Sequence, residues 1–184
     1  MRLVLVLGAG MIAAAPLAGC TGQSASPDAR DHPHVTVAIE ETPPSPADAA
    51  RATYWGGQAR QITLSGGAFT GPKGERVELL RQFHAVGDLE GDGAVDAVVA
   101  LAVSNAREES GQYIAVLRRL GMDTISLGTI SLGSVEVRGL GIEGRRIVVD
   151  VARPSASAPG ATEPGRLLFT LGAGELVPIT PGPG

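Results

Sequence analysis

Short runs rich in valine, isoleucine and threonine follow one another along most of this chain, and glycine cuts each off from the next. They read ATYW (52–55), QITL (61–64), GAFT (67–70), ERVELLRQFHAV (75–86) and AVDAVVALAV (94–103). After these come YIAVLRRL (113–120), DTISLGTISL (123–132), SVEVRGLGI (134–142), RRIVVDVA (145–152) and RLLFTL (166–171). Such runs, recurring about every 8 to 12 residues, are the mark of an all-β domain. ITLSGGAFTG reads as a hairpin, because Ser65-Gly66-Gly67 supplies the positive φ that a tight turn needs. GIEGRRIVV reads likewise around Glu143-Gly144.

Helical pattern is thin. PADAARATY is enough for a turn or two, and ERVELLRQF has helical spacing as well as strand character. AVVALAV is apolar at every position, as a central strand buried on both faces requires. PSASAPGATEPG (154–165) reads as a loop, and no internal repeat stands out. The expected fold class is therefore all-β with minor α. It takes the form of a single antiparallel β-sheet, sandwich or partly open barrel at residues 48–178, with a tail at 179–184. About 130 residues are enough for one hydrophobic core.

Residues 20–47 have a different composition. SASPDARDHPH and ETPPSPAD are rich in Pro, Ser and Asp, so they bury too little apolar area to offset the entropy of ordering them. This segment reads as a flexible tether that spans roughly 30 Å as a random coil. Within it VTVAIE (35–40) alternates like a strand, and Asp31, His32 and His34 are candidate ligands for a transition metal.

The first twenty residues, MRLVLVLGAGMIAAAPLAGC, admit two readings. Gly8 and Gly10 after an apolar run, Ala13 and the later Asp28 imitate a dinucleotide-binding fingerprint. That unit needs a helix and then a second strand before its acid, whereas Pro16 and the polar stretch after Cys20 interrupt it. Export fits better: Arg2 is a minimal positive start, Leu3–Ala15 is an apolar stretch, and small residues close the segment. The stretch is too short for a comfortable span, which takes about 20 apolar residues.

The ending Leu17-Ala18-Gly19-Cys20 resembles the bacterial lipobox, so residues 1–19 resemble a lipoprotein signal peptide. That resemblance implies a diacylglycerol thioether and an N-acyl chain (palmitate) on Cys20 after cleavage. Thr21, in place of aspartate, implies an outer-membrane location facing the periplasm in an organism with two membranes. Cys20 is the sole cysteine of 184 residues, which rules out an intramolecular disulfide. With 15 basic and 19 acidic residues the chain lacks the basic excess of a nucleic-acid binder.

The densest chemistry lies in GDLEGDGAVDAVVA, where Asp88, Glu90, Asp92 and Asp96 occupy loop positions one, three, five and nine. Calcium takes about six to eight oxygen ligands, and alternate residues of a tight loop can supply them. Gly93 would allow the sharp turn and the Ala94 carbonyl would add a ligand. Val99 stands where an EF-hand needs its bidentate glutamate, so this is no EF-hand. Without a cation the clustered carboxylates would repel and raise one another's pKa. The competing reading is a plain solvated turn of the Asp-Gly kind.

The stretch resembles the calcium loop of FG-GAP and VCBS proteins, departing from it at Glu90, where Asp or Asn is usual. One copy supports a local site and not a propeller. The order YWGG, ITLSGG, GDLEGDGAVDAVVAL, YIAVL, LGSVEVRGLGI and RRIVVDV also resembles a family of uncharacterised bacterial envelope lipoproteins. That resemblance implies a location and a shape but no activity.

His84, beside Phe83 on a strand-like run, reads as a satisfied core or edge histidine. Tyr54 and Trp55 read as core anchors or, in the alternative, as an aromatic ligand contact. Arg107, Glu108 and Glu109 read as an exposed loop. G-x-S-x-G, S-x-x-K and H-E-x-x-H signatures are all missing from the sequence. The sequence therefore points to a non-catalytic, membrane-anchored envelope lipoprotein with a structural Ca2+ loop and an envelope protein as partner. The alternatives are a small-ligand-binding β-barrel and, less favoured, a hydrolase.

Overall fold

The computed structural model describes residues 42–56, 60–104 and 110–180. All of them belong to one compact unit, Ile39–Gly184. Cys20, the signal segment, VTVAIE, the DHPH histidines and Arg107-Glu108-Glu109 lie outside the described residues. The described residues are nearly all β, with 67% strand against 3% helix.

The chain enters through a capped turn of helix, α1 (Pro46–Ala49). Ser45 and Asp48 form a capping box: the Asp48 amide donates to Ser45 Oγ, while the Ser45 amide and hydroxyl both donate to Asp48 Oδ2. Eleven strands follow: β1 (Thr53–Gly56), β2 (Arg60–Thr63), β3 (Ala68–Thr70), β4 (Arg76–Gly87), β5 (Asp96–Ser104) and β6 (Ser110–Leu120), then β7 (Asp123–Gly133), β8 (Glu136–Glu143), β9 (Arg146–Pro154), β10 (Thr162–Gly172) and β11 (Glu175–Ile179). ERVELLRQF is strand from Arg76 onward and forms most of β4. DTISLGTISL is a single strand despite its internal glycine.

Seven strands form one sheet in the order β2-β1-β7-β6-β5-β4-β3, and four form another in the order β11-β10-β9-β8. All pairings are antiparallel except β1 with β7, where Thr53 lies beside Ile125 in parallel. The strand order forces the larger sheet to curl. Its two outermost strands, β2 and β3, are joined by only residues 64–67, a link that reaches at most about 17 Å.

Hydrogen bonds tie this link to the strands on both sides. Leu64 N donates to Ala52 O (3.2 Å), Gly67 N to Ala50 O (2.8 Å) and Leu79 N to Gly67 O (2.8 Å). The turn at Ser65-Gly66-Gly67 forms, but the expected hairpin does not: β2 pairs with β1 and β3 with β4, and the two runs meet only at the Ser65–Ala68 bridge, so the turn is the clasp of a nearly closed barrel. The smaller sheet packs on the outer face of that barrel, with β8 against β4 and β5 and β11 against β7.

Two cores result, and β5 belongs to both. Its Ala97, Val99 and Leu101 face the barrel interior with Tyr54, Leu64, Val77, Leu79, Ala115 and Leu117. Its Val98 and Ala100 face the second sheet with Ile114, Val116, Val137, Ile147, Val149 and Phe169. The period-two alternation of a strand delivers both sets from one apolar run. Cross-strand partners inside the barrel match small to large, Ala97 beside Leu117 and Val99 beside Ala115.

Candidate functional site

The acidic loop leads from β4 into β5. Its Leu89 is buried among the residues that join the barrel to the outer sheet. Asp88 turns back on the loop: one carboxylate oxygen accepts from the Gly91 amide and the other from the Gly93 amide at 3.1 Å. Asp92 Oδ1 accepts from the Ala94 amide at 3.0 Å. Gly91 and Gly93 have φ of +77° and +86°, which L-residues rarely adopt.

Arg118, from β6, sits at the focus of the other carboxylates. Its Nε donates to Asp96 Oδ1 at 2.8 Å and its Nη2 to Asp96 Oδ2 at 3.1 Å, a bidentate pair. Nη2 also lies 2.9 Å from Glu90 Oε2, and Nη1 lies 3.6 Å from Asp92 Oδ2. Asp96 is fully buried, at 0% exposure, and the Arg118 side chain is 16% exposed. The register of β5 and β6 explains the meeting. Ala97 faces Leu117, and one step further along the same ladder Asp96 stands opposite Arg118.

A second arginine approaches from the outer sheet. Arg145 lies in the β8–β9 turn with φ of 66°, and its guanidinium is so close to Gly91 that a Cβ there would fall 1.8 Å from Nη2. The loop thus meets two guanidinium groups, Arg118 paired with it from the barrel and Arg145 lying against Gly91 from the second sheet. Sequence reasoning missed both residues. The available signal was the Arg118-Arg119 pair interrupting an apolar strand, one step from the pairing that places it opposite Asp96.

The charges follow from this geometry. Burial drives the Asp96 carboxyl above the usual carboxylate range, against the pull of the Arg118 hydrogen bonds. Desolvation pushes Asp88 up too, but the amides of Gly91 and Gly93, and then Arg145, outweigh it and hold the group below its ordinary value. The hydrogen bonds to Asp96 keep Arg118 more firmly protonated than a free guanidinium.

The loop carboxylates are paired within the chain. Both oxygens of Asp96 are engaged by Arg118 and both of Asp88 by loop amides. Among the described residues, no three His, Cys, Asp or Glu side chains are arranged to hold a metal ion.

Tyr54 and Trp55 lie on opposite faces of β1. Tyr54 is fully buried and its hydroxyl donates to Ala49 O at 2.8 Å, whereas Trp55 is 46% exposed on the outside. Adjacent strand residues point apart, so the pair does not line a common pocket. His84 Nε2 donates to Pro44 O at 2.9 Å, a bond that ties β4 to the chain just before α1.

Among the described residues, clefts also lie outside the barrel. One, of about 340 Å3, opens between the ends of the two sheets, lined by Arg76, Glu78, Gln112, Val135, Glu136 and Thr162 among others. Its charges are already matched, Arg76 with Glu78 and Glu136 with Arg138, and Gln112 Oε1 accepts from the Val137 amide. Another, of about 550 Å3, is a shallow surface of the outer sheet around Arg138, Asp150 and Arg166. Compared with protein-family models, curated proteins and solved structures, the chain matches none.

Proposed function

We propose that the protein is a non-catalytic, lipid-anchored component of the cell envelope, its β domain held by Cys20 at the membrane surface and presented to an envelope protein partner. The anchor is supported by the Leu3–Ala15 stretch and the Leu17-Ala18-Gly19-Cys20 ending. Two or more acyl chains give durable attachment where one is marginal.

One observation favours this reading over a small-ligand-binding barrel. The space a ligand would take is packed with the chain's own side chains: Tyr54, Ala97, Ala115 and Leu117 are at 0% exposure and Val99 at 1%. An eight-stranded barrel has an interior just wide enough to be filled by side chains or to hold one small ligand; this seven-stranded one is filled.

The test is metabolic labelling of the full chain with palmitate, followed by membrane fractionation. Label and membrane association should both disappear in the Cys20→Ser variant. Unchanged labelling in that variant overturns the proposal. Recovery with the outer-membrane fraction of a two-membraned host is the expected location.

A further inference from the structure

We infer that the 88–96 loop is a cation site filled by the chain itself, the Arg118 guanidinium standing where loops of this acidic pattern hold Ca2+. The argument begins with repulsion. Four carboxylates in nine residues, one fully buried, cannot all be ionised at close range without a positive charge among them. Arg118 supplies that charge, and three of the four acids meet it, at 2.8 and 3.1 Å (Asp96), 2.9 Å (Glu90) and 3.6 Å (Asp92). The fourth, Asp88, accepts loop amides instead and shapes the turn.

The departure of the sequence from the calcium-loop pattern then acquires a reason. Glu90 stands where a shorter Asp or Asn is usual, and its extra methylene carries the carboxylate to within 2.9 Å of Arg118 Nη2. Calcium asks for about six to eight oxygens around a point. A guanidinium instead offers five N–H donors in a planar fork, and here the fork takes a buried carboxylate bidentately while its remaining edges face two more. An incoming metal ion would have to displace a side chain fixed opposite Asp96 by the β5–β6 ladder. The device sets the entry to the central strand β5 whatever the calcium level outside the cell, and it holds whether or not Cys20 carries lipid.

The test uses the full chain and CaCl2, with MgCl2 and NaCl at equal ionic strength as controls. The wild-type melting midpoint should be the same in millimolar CaCl2 as in chelator plus matched salt. Arg118→Ala leaves the carboxylates without a counter-charge, so its midpoint should fall, and CaCl2 should restore part of the loss where NaCl does not. If Arg118→Ala does not fold in any buffer, Arg118→Gln is read in the same way, and Arg118→Lys, which keeps the charge, should remain indifferent to calcium. A wild-type midpoint raised specifically by CaCl2 overturns the inference. So does an Arg118→Ala or Arg118→Gln protein on which calcium acts no differently from sodium.

Discussion

Asp48 shows how much one side chain can organise when its position serves two structures at once. It closes the capping box of α1 with Ser45, and it also accepts from Arg119 of β6 and lies 3.5 Å from Arg51. The Ser45 hydrogen bonds, then Arg119 and Arg51, hold its pKa below the ordinary 3.8 despite partial desolvation. A carboxyl whose folded pKa is depressed adds stability that is complete above the unfolded value and is lost as pH falls through the folded one. Melting midpoints should therefore be level from neutral pH down to about 4 and then drop, and Asp48→Asn should flatten part of that drop while lowering the neutral-pH midpoint. A profile for Asp48→Asn as steep as wild type in acid would assign the loss elsewhere. Asp96 works in the opposite sense. Burial raises its pKa, so its own contribution grows more favourable as pH falls and cannot be the source of acid unfolding. Tyr54 is the residue-scale counterpart in the barrel, where burial pushes its hydroxyl up and the Ala49 carbonyl satisfies it, as a buried phenol needs.

Among the elements, β4 and the acidic loop carry the irregularities that assemble the fold. Leu80 pairs with Ala100 and His84 with the adjacent Val99, so Arg81, Gln82 and Phe83 are extra residues with no partners across β5. Such a bulge re-aims side chains. Here Arg81 Nη2 donates to Gly66 O at 2.6 Å, His84 reaches Pro44, and Phe83 packs in the second core. Pro164 interrupts β10 only where β11 has not yet begun to pair, since that ladder starts at Leu168, as proline's missing N–H demands. The two loop glycines yield an element-scale prediction. Both have positive φ, but a Cβ at Gly93 meets nothing within 4 Å, whereas one at Gly91 collides with Arg145. Gly93→Ala should cost about 1–2 kcal/mol, the conformational penalty of an L-residue in the left-handed region. Gly91→Ala should cost more, because Arg145 must also leave. Chemical denaturation of the two variants measures the difference, and equal losses would mean that Arg145 contributes nothing to the loop.

For the whole molecule, sharing β5 and β6 between the two cores should make the barrel and the outer sheet unfold as a single cooperative unit. Val98 points into one core and Val99 into the other, both essentially unexposed. Val98→Ala and Val99→Ala should each destabilise by about 2 kcal/mol and shift one common transition. Near- and far-ultraviolet circular dichroism melts should coincide in both variants. A second transition in either would show that the sheets unfold separately.

The strands, the clasping Gly66-Gly67 turn and the twice-buried central run were legible along the chain because they depend on neighbours one to four residues away. Alternation, β-branching and positive φ are local properties, and the all-β class follows from them. The crowding of Asp88, Glu90, Asp92 and Asp96 was equally legible, as was the electrostatic need for a positive charge among them. What the linear order did not carry was which charge answers that need. Arg118 is 22 residues from Asp96 in sequence, and Arg145 is more distant still. Only the β5–β6 register and the packing of the β8–β9 turn bring them to the loop. The same limit applies to the barrel: strand runs do not say that β2 and β3 end at opposite edges of one sheet, and it is the four-residue link between those edges that closes it. Local sterics wrote the elements, and long-range pairing, set by which faces bury together, chose their partners.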